Sequence, residues 1–85
     1  MTYVYARTRG GIGSDGIMVD GKGRLLTANF GAGEVLVFSP EGRPLGAIQL
    51  PEEAGKVLSN LVIRGHDLYM TEGSRGEIWR VRLNN

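Results

Sequence analysis

A chain of 85 residues without cysteine carries few groups able to do chemistry, and two of them stand at similar places. Ser14-Asp15-Gly16 is a small polar triplet just before an apolar run, and Ser59-Asn60-Leu61 is a weaker echo of it. Asp15 brings a carboxylate and Asn60 a carboxamide. Both residue types also serve in turns, and an Asp at the start of a strand can cap it through an Asx turn. Which role holds depends on what the two side chains face. Ser14 has no His or Asp at nucleophile spacing, so a serine hydrolase is unsupported. His66 is the single histidine; it sits in a turn and reads as a surface residue. The run Arg9-Gly10-Gly11-Ile12-Gly13 has the glycines of a phosphate cradle. It lacks a following helix and a Lys-Ser/Thr pair, so it reads as a flexible crossover.

Composition bounds the elements that must position these groups. The length suits one domain or less. A chain so short buries only about 60% of its unfolded surface, and no disulfide or thiolate metal site can make up the shortfall. A ligand or a partner subunit could. The formal net charge is +1 with both signs spread along the chain, which argues against a general nucleic-acid surface. The N-terminus lacks the apolar run of a signal peptide and no stretch is long enough to span a bilayer, so the expectation is a soluble cytoplasmic protein that binds no membrane. Fourteen glycines, three prolines and no sustained helical periodicity point to an all-β chain with many turns.

Residues 2–7, TYVYAR, form a short β-type run with Tyr3 and Tyr5 on one face and Val4 and Ala6 on the other. Strands are then expected over 15–20, 24–30, 34–38 and 44–50, and again over 58–63, 68–72 and 77–83. Asp20-Gly21-Lys22-Gly23 reads as a hairpin turn in which Asp-Gly accepts positive φ. Ser39-Pro40-Glu41-Gly42 reads as a β-turn with Pro at its second position. Residues 51–57, PEEAGKV, read as a loop. Asp20 and Asp67 lie in turns and read as structural. Asn29 and Glu72 fall at matching positions near the ends of second strands, either lining one mouth of a channel or solvated. Tyr3, Tyr5, Phe30, Phe38, Tyr69 and Trp79 read as packing residues. In the last strand Ile78, Arg80 and Arg82 share a solvated face, with Trp79, Val81 and Leu83 on the other.

LLTANFGAGEVLVF aligns with LYMTEGSRGEIWRV, matching Leu25 with Leu68, Val35 with Ile78, Leu36 with Trp79 and the Gly33-Glu34 pair with Gly76-Glu77. A repeat of about 40–45 residues carrying four strands is the signature of a β-propeller blade. The first unit, 14–50, has four strands. The second, 58–83, has three. The surplus strand at 2–7 balances the deficit if it completes the second blade of a neighbouring chain. Two blades cannot close a ring and would leave a sheet edge and an apolar face exposed. The expectation is therefore an all-β fold of two four-stranded propeller blades, closing as a six-bladed propeller by homotrimerisation through head-to-tail contacts. The rival expectation is that the 85 residues are a piece of a longer gene product or of a larger assembly.

SDGIMVDGKGRLLTANFGAGEVLVFSPEG resembles a late blade of the gluconolactonase–regucalcin (senescence-marker-protein) family of six-bladed propellers, and SNLVIRGHDLYMTEGSRGEIWRVRL resembles the family's final blade. The resemblance implies a divalent cation such as calcium, zinc or magnesium in a central channel, held by a Glu from an early blade, an Asn from a middle blade and the Asp of the Asp-Gly motif. That Asp corresponds to Asp15. It also implies hydrolysis of sugar lactones and related esters, with a carboxylate at the metal acting as base. The chain has neither the early-blade Glu, nor the middle-blade Asn, nor the Arg and Asn residues that handle substrate. In a trimer, three copies of Asp15 and three of Asn60 would alternate around one channel and could bind calcium. Two functions follow as expectations: a metal-dependent lactonase, with Asp15 catalytic and Asp15 and Asn60 as metal ligands, or a non-catalytic propeller fragment that binds a small molecule or serves assembly.

Overall fold

The computed structural model describes residues 1–83 and places seven antiparallel strands in two sheets. The first sheet is a meander in the order β1 (Gly13–Val19), β2 (Leu25–Phe30), β3 (Glu34–Phe38), β4 (Pro44–Gln49). The second runs β5 (Leu58–Arg64), β6 (Asp67–Glu72), β7 (Glu77–Arg82). The four-plus-three pattern matches the sequence reading, with strand ends moved by a residue or two. Residues 51–57 form the expected irregular connection, with one tight turn closed by the Ala54 N–H on the Pro51 carbonyl. No helix among the described residues is long and apolar enough to cross a membrane.

Hairpin chemistry explains the meander. Asp20 accepts the backbone N–H groups of Lys22 and Arg24, both at 2.9 Å, and the Arg24 Nε at 2.6 Å. Its own carbonyl accepts the Gly23 N–H at 3.1 Å. Burial disfavours the charged carboxylate, but the Arg24 N–H, the guanidinium and the Lys22 N–H outweigh it, so the pKa of Asp20 lies below the usual carboxylate range. The positive φ of this turn falls on Gly23 at +79° and not on Gly21, which corrects the two-residue reading: the loop is a three-residue turn closed by a left-handed glycine. Ser39–Gly42 repeats the device, with Ser39 Oγ accepting the N–H groups of Glu41 and Arg43. The equivalent turn in the second sheet is shorter. Arg64 pairs directly with Asp67, and Gly65 takes φ +63° as the first of two central residues, as a tight hairpin requires.

The core lies between the sheets. Leu26, Ala28 and Val35 of the first sheet meet Leu58, Leu61, Leu68 and Met70 of the second, with Met18, Val37, Trp79 and Val81 packed around them. Each fully buried leucine contributes about 1.5–3 kcal/mol by leaving water. Trp79, Val81 and Leu83 join this cluster, whereas Ile78, Arg80 and Arg82 are exposed on the far face, as their alternation requires. The first strands of the two sheets are neighbours, since β5 packs against both β1 and β2.

Residues 2–7, read as a strand from sequence, join no ladder among the described residues. They lie across the first sheet on the face opposite the core. The Tyr5 hydroxyl donates to the Ser39 carbonyl, and the Tyr5 backbone rests on Gly42. Tyr3, expected to pack, is exposed there.

Candidate functional site

Both candidate residues stand on bulges at the same end of the two sheets. In β1 the pairing jumps from Ser14–Asn29 to Ile17–Thr27, leaving Asp15 and Gly16 outside the regular ladder. In β5 it jumps from Leu58–Glu72 to Leu61–Met70, leaving Ser59 and Asn60 outside it. Bulges of this kind re-aim side chains and recur beside functional sites. Ile17 and Leu61 are therefore equivalent, and so are Asp15 and Ser59, and Gly16 and Asn60. The sequence echo that set Asn60 opposite Asp15 is off by one position, because the β5–β6 turn is one residue shorter than the β1–β2 turn.

The bulges touch. A Cβ built on Gly16 would lie 2.6 Å from both the Ser59 carbonyl and Asn60 Oδ1, and 2.8 Å from Asn60 Cα. Asn60 is thus brought to Asp15 through Gly16 even though the two are not equivalent. Both residues are exposed. Asn60 Oδ1 accepts the Leu61 N–H at 3.0 Å, while the Asn60 N–H donates to Thr71 Oγ1 at 3.1 Å. Thr71 Oγ1 also shares a hydrogen bond of 2.7 Å with Ser59 Oγ.

Asp15 differs from every other strand carboxylate. Glu34, Asp67, Glu72 and Glu77 each bond to a protein donor. Among the described residues the Asp15 side chain makes no hydrogen bond or ion pair, so the Asx-cap alternative does not describe it.

Two buried polar hubs hold the same end of the sheets. Glu72, expected to line a mouth or be solvated, is fully buried and accepts Ser74 Oγ and the N–H groups of Val57 at 2.9 Å, Arg75 at 2.7 Å and Ser74 at 3.2 Å. The Ser74 hydroxyl is the largest influence, and these donors together outweigh desolvation and lower the pKa to about 2. Gly55 makes room, since any Cβ there would fall on the carboxylate. Asn29 is also fully buried: its Nδ2 donates to the Arg9 carbonyl at 2.6 Å and to Glu34 Oε2 at 3.0 Å. Its Oδ1 is buried without a partner. Burial raises the pKa of Glu34, but Asn29, Arg9 and Gln49 outweigh it and the net shift is downward. Sequence reading missed both hubs. The Glu72-Gly73-Ser74 spacing, short enough for a carboxylate to bond the turn after it, was the available signal for the first.

His66 is exposed in its turn, as expected of a surface residue; Asp67, expected in the turn as a structural residue, is the first residue of β6 and pairs with Arg82 at 3.5 Å. Among the described residues no three His, Cys, Asp or Glu side chains converge as metal ligands. Asn60 lies against Gly16, the chain neighbour of Asp15.

The family described as SMP-30/Gluconolactonase/LRE-like region matches residues 2–81. The chain belongs to this family. The match runs through both sheets and includes the segment ahead of β1, so the gluconolactonase-like resemblance of the two repeats extends to the N-terminal run. The family fold is a β-propeller, built of blades that are antiparallel meanders of the kind formed by the two sheets here. A search of curated proteins returned no match.

Proposed function

We propose that this gluconolactonase-like unit supplies Asp15 to a channel site shared between copies of the chain, where lactones or related esters are hydrolysed. One observation carries the reading: Asp15 is the strand carboxylate left exposed and unbonded, on a bulge where the first strands of two blades meet. A carboxylate so placed can take a proton. Hydrolysis joins the oxygen of water to the carbonyl carbon and breaks the ring C–O bond. The proton lost by the water passes to Asp15 and then to the released alkoxide oxygen, giving a hydroxy acid.

The cofactor proposed for the shared site is a divalent cation, with calcium favoured by its preference for several oxygen donors. Asp15 and Asn60 from successive copies, in a ring of three chains, would hold it.

The test is calcium titration of the wild type and of Asp15→Ala, followed by lactone turnover with and without a chelator. The reading expects calcium binding and turnover in the wild type, both lost in Asp15→Ala. Identical behaviour of the two proteins removes Asp15 from the site. A second reading is a non-catalytic propeller unit for binding or assembly; among the described residues no three His, Cys, Asp or Glu side chains converge. Calcium binding without turnover would select it.

A further inference from the structure

We propose that Asp15-Gly16 is a modification site, where the aspartate isomerises spontaneously to isoaspartate, while Asp20-Gly21 in the next turn is held against the same change. The proposal concerns the backbone at Asp15 and stands apart from the hydrolase reading.

The chain has two Asp-Gly pairs, at 15–16 and 20–21, and no Asn-Gly pair. In such a pair the second residue has no side chain to shield its amide nitrogen. That nitrogen can attack the aspartate Cγ. A bond from nitrogen to Cγ forms, the Cγ–OH bond breaks, and the hydroxyl leaves with the amide proton as water. Water then opens the five-membered ring. Attack on the former main-chain carbonyl carbon breaks its bond to nitrogen. The chain then runs through Cβ and Cγ, and the carboxylate sits directly on Cα. Water lost in the first step is regained in the second, and no other reactant is needed.

The two sites differ in what holds the carboxylate. A Cβ built on Gly21 would meet nothing within 4 Å, so the nitrogen there is open to approach. The Asp20 carboxylate is not free to approach it. It accepts the N–H groups of Lys22 and Arg24, both at 2.9 Å, and the Arg24 Nε at 2.6 Å. Its Cγ cannot swing onto the Gly21 nitrogen until these bonds break. The lowered pKa of Asp20 also keeps it ionised, without the hydroxyl that must leave. Asp15 has none of these restraints. It is exposed, and its side chain bonds to nothing among the described residues. The register jump between Ser14 and Ile17 leaves Asp15 and Gly16 outside the regular ladder. Ring closure turns the backbone of the aspartate, a motion that paired strands resist and a bulge resists less.

The position of Gly16 gives the change a consequence. Gly16 rests against the Ser59 carbonyl and Asn60 with no room for a methyl group. Isoaspartate at 15 inserts one more backbone atom immediately before this contact. Isomerisation therefore shifts Gly16 against the second sheet and draws the carboxylate back by one carbon.

Mass spectrometry tests the site. The wild type is incubated at neutral pH both folded and in concentrated urea. Trypsin cuts after Arg9 and Lys22, so residues 10–22 carry both aspartates in one peptide. Electron-transfer fragmentation, which splits the chain between Cα and Cβ only at isoaspartate, reads each position separately. In the folded protein isoaspartate at 15 should exceed that at 20 by at least about ten-fold, the factor set by a single charge-assisted hydrogen bond that must first break. In urea the two positions should convert at similar rates. The isoaspartate form, separated by chromatography, should unfold at a lower urea concentration than fresh protein. Asp15→Glu keeps a carboxylate but would need a six-membered ring, so after the same incubation it should keep its fresh midpoint. Equal conversion at the two positions of the folded protein, an excess at Asp20, no conversion at Asp15, or an isoaspartate form that unfolds with the fresh midpoint would overturn the proposal.

Discussion

Gly16 lies against Asn60 so closely that a methyl group on it would sit 2.6 Å from the amide oxygen. This is where the two sheets meet nearest to Asp15, and the contact is to backbone as well as side chain. Gly16→Ala should push the sheets apart at this end and lower stability by about 1–3 kcal/mol, read as a shift of the urea midpoint. Adding Asn60→Gly should restore little, because the Ser59 carbonyl at the same distance remains.

Asp15, one residue away, should behave in the opposite manner. It is exposed and bonds to nothing in the described chain, so Asp15→Ala should leave stability within about 0.5 kcal/mol of the wild type. A change beyond that range in urea unfolding would show that Asp15 serves the fold, and would weaken its assignment to the channel.

The Glu72 hub predicts acid sensitivity. Its folded pKa of about 2 lies below the unassociated value of 4.5. The stability it contributes is therefore complete above pH 4.5 and is lost as pH falls from there toward 2. Glu72→Gln replaces one acceptor oxygen by a donor facing the N–H groups of Val57, Ser74 and Arg75. The variant should be less stable than the wild type at pH 7, and the difference should shrink in urea melts at pH 3. A constant difference would place the acid sensitivity elsewhere.

Asn29→Asp tests the other hub. The substitution removes the donor shared by the Arg9 carbonyl and Glu34 and sets a second carboxylate beside the first. The loss at pH 7 should be at least about 2 kcal/mol. It should diminish in acid, because a proton on either carboxyl group restores a donor between them. Thermal melts at pH 7 and pH 4 would show whether it does.

The two sheets were legible in the amino-acid order because their signals are local. Apolar and β-branched runs mark the strands, glycine marks each turn between them, and the repeat from Leu25 to Phe38 returns from Leu68 to Val81. Alternation also placed Trp79 and Val81 on the core face and Ile78, Arg80 and Arg82 on the other. Tertiary structure decided what local order does not encode. The offset between the bulges depends on the length of the turns after them, so the echo of Asp15 falls on Ser59 and not on Asn60. The burial of Asn29 and Glu72 depends on Arg9 and Val57, which lie 20 and 15 residues away along the chain. A polar side chain at a strand end is solvated or buried according to whether distant donors reach it. Only folding brings them there.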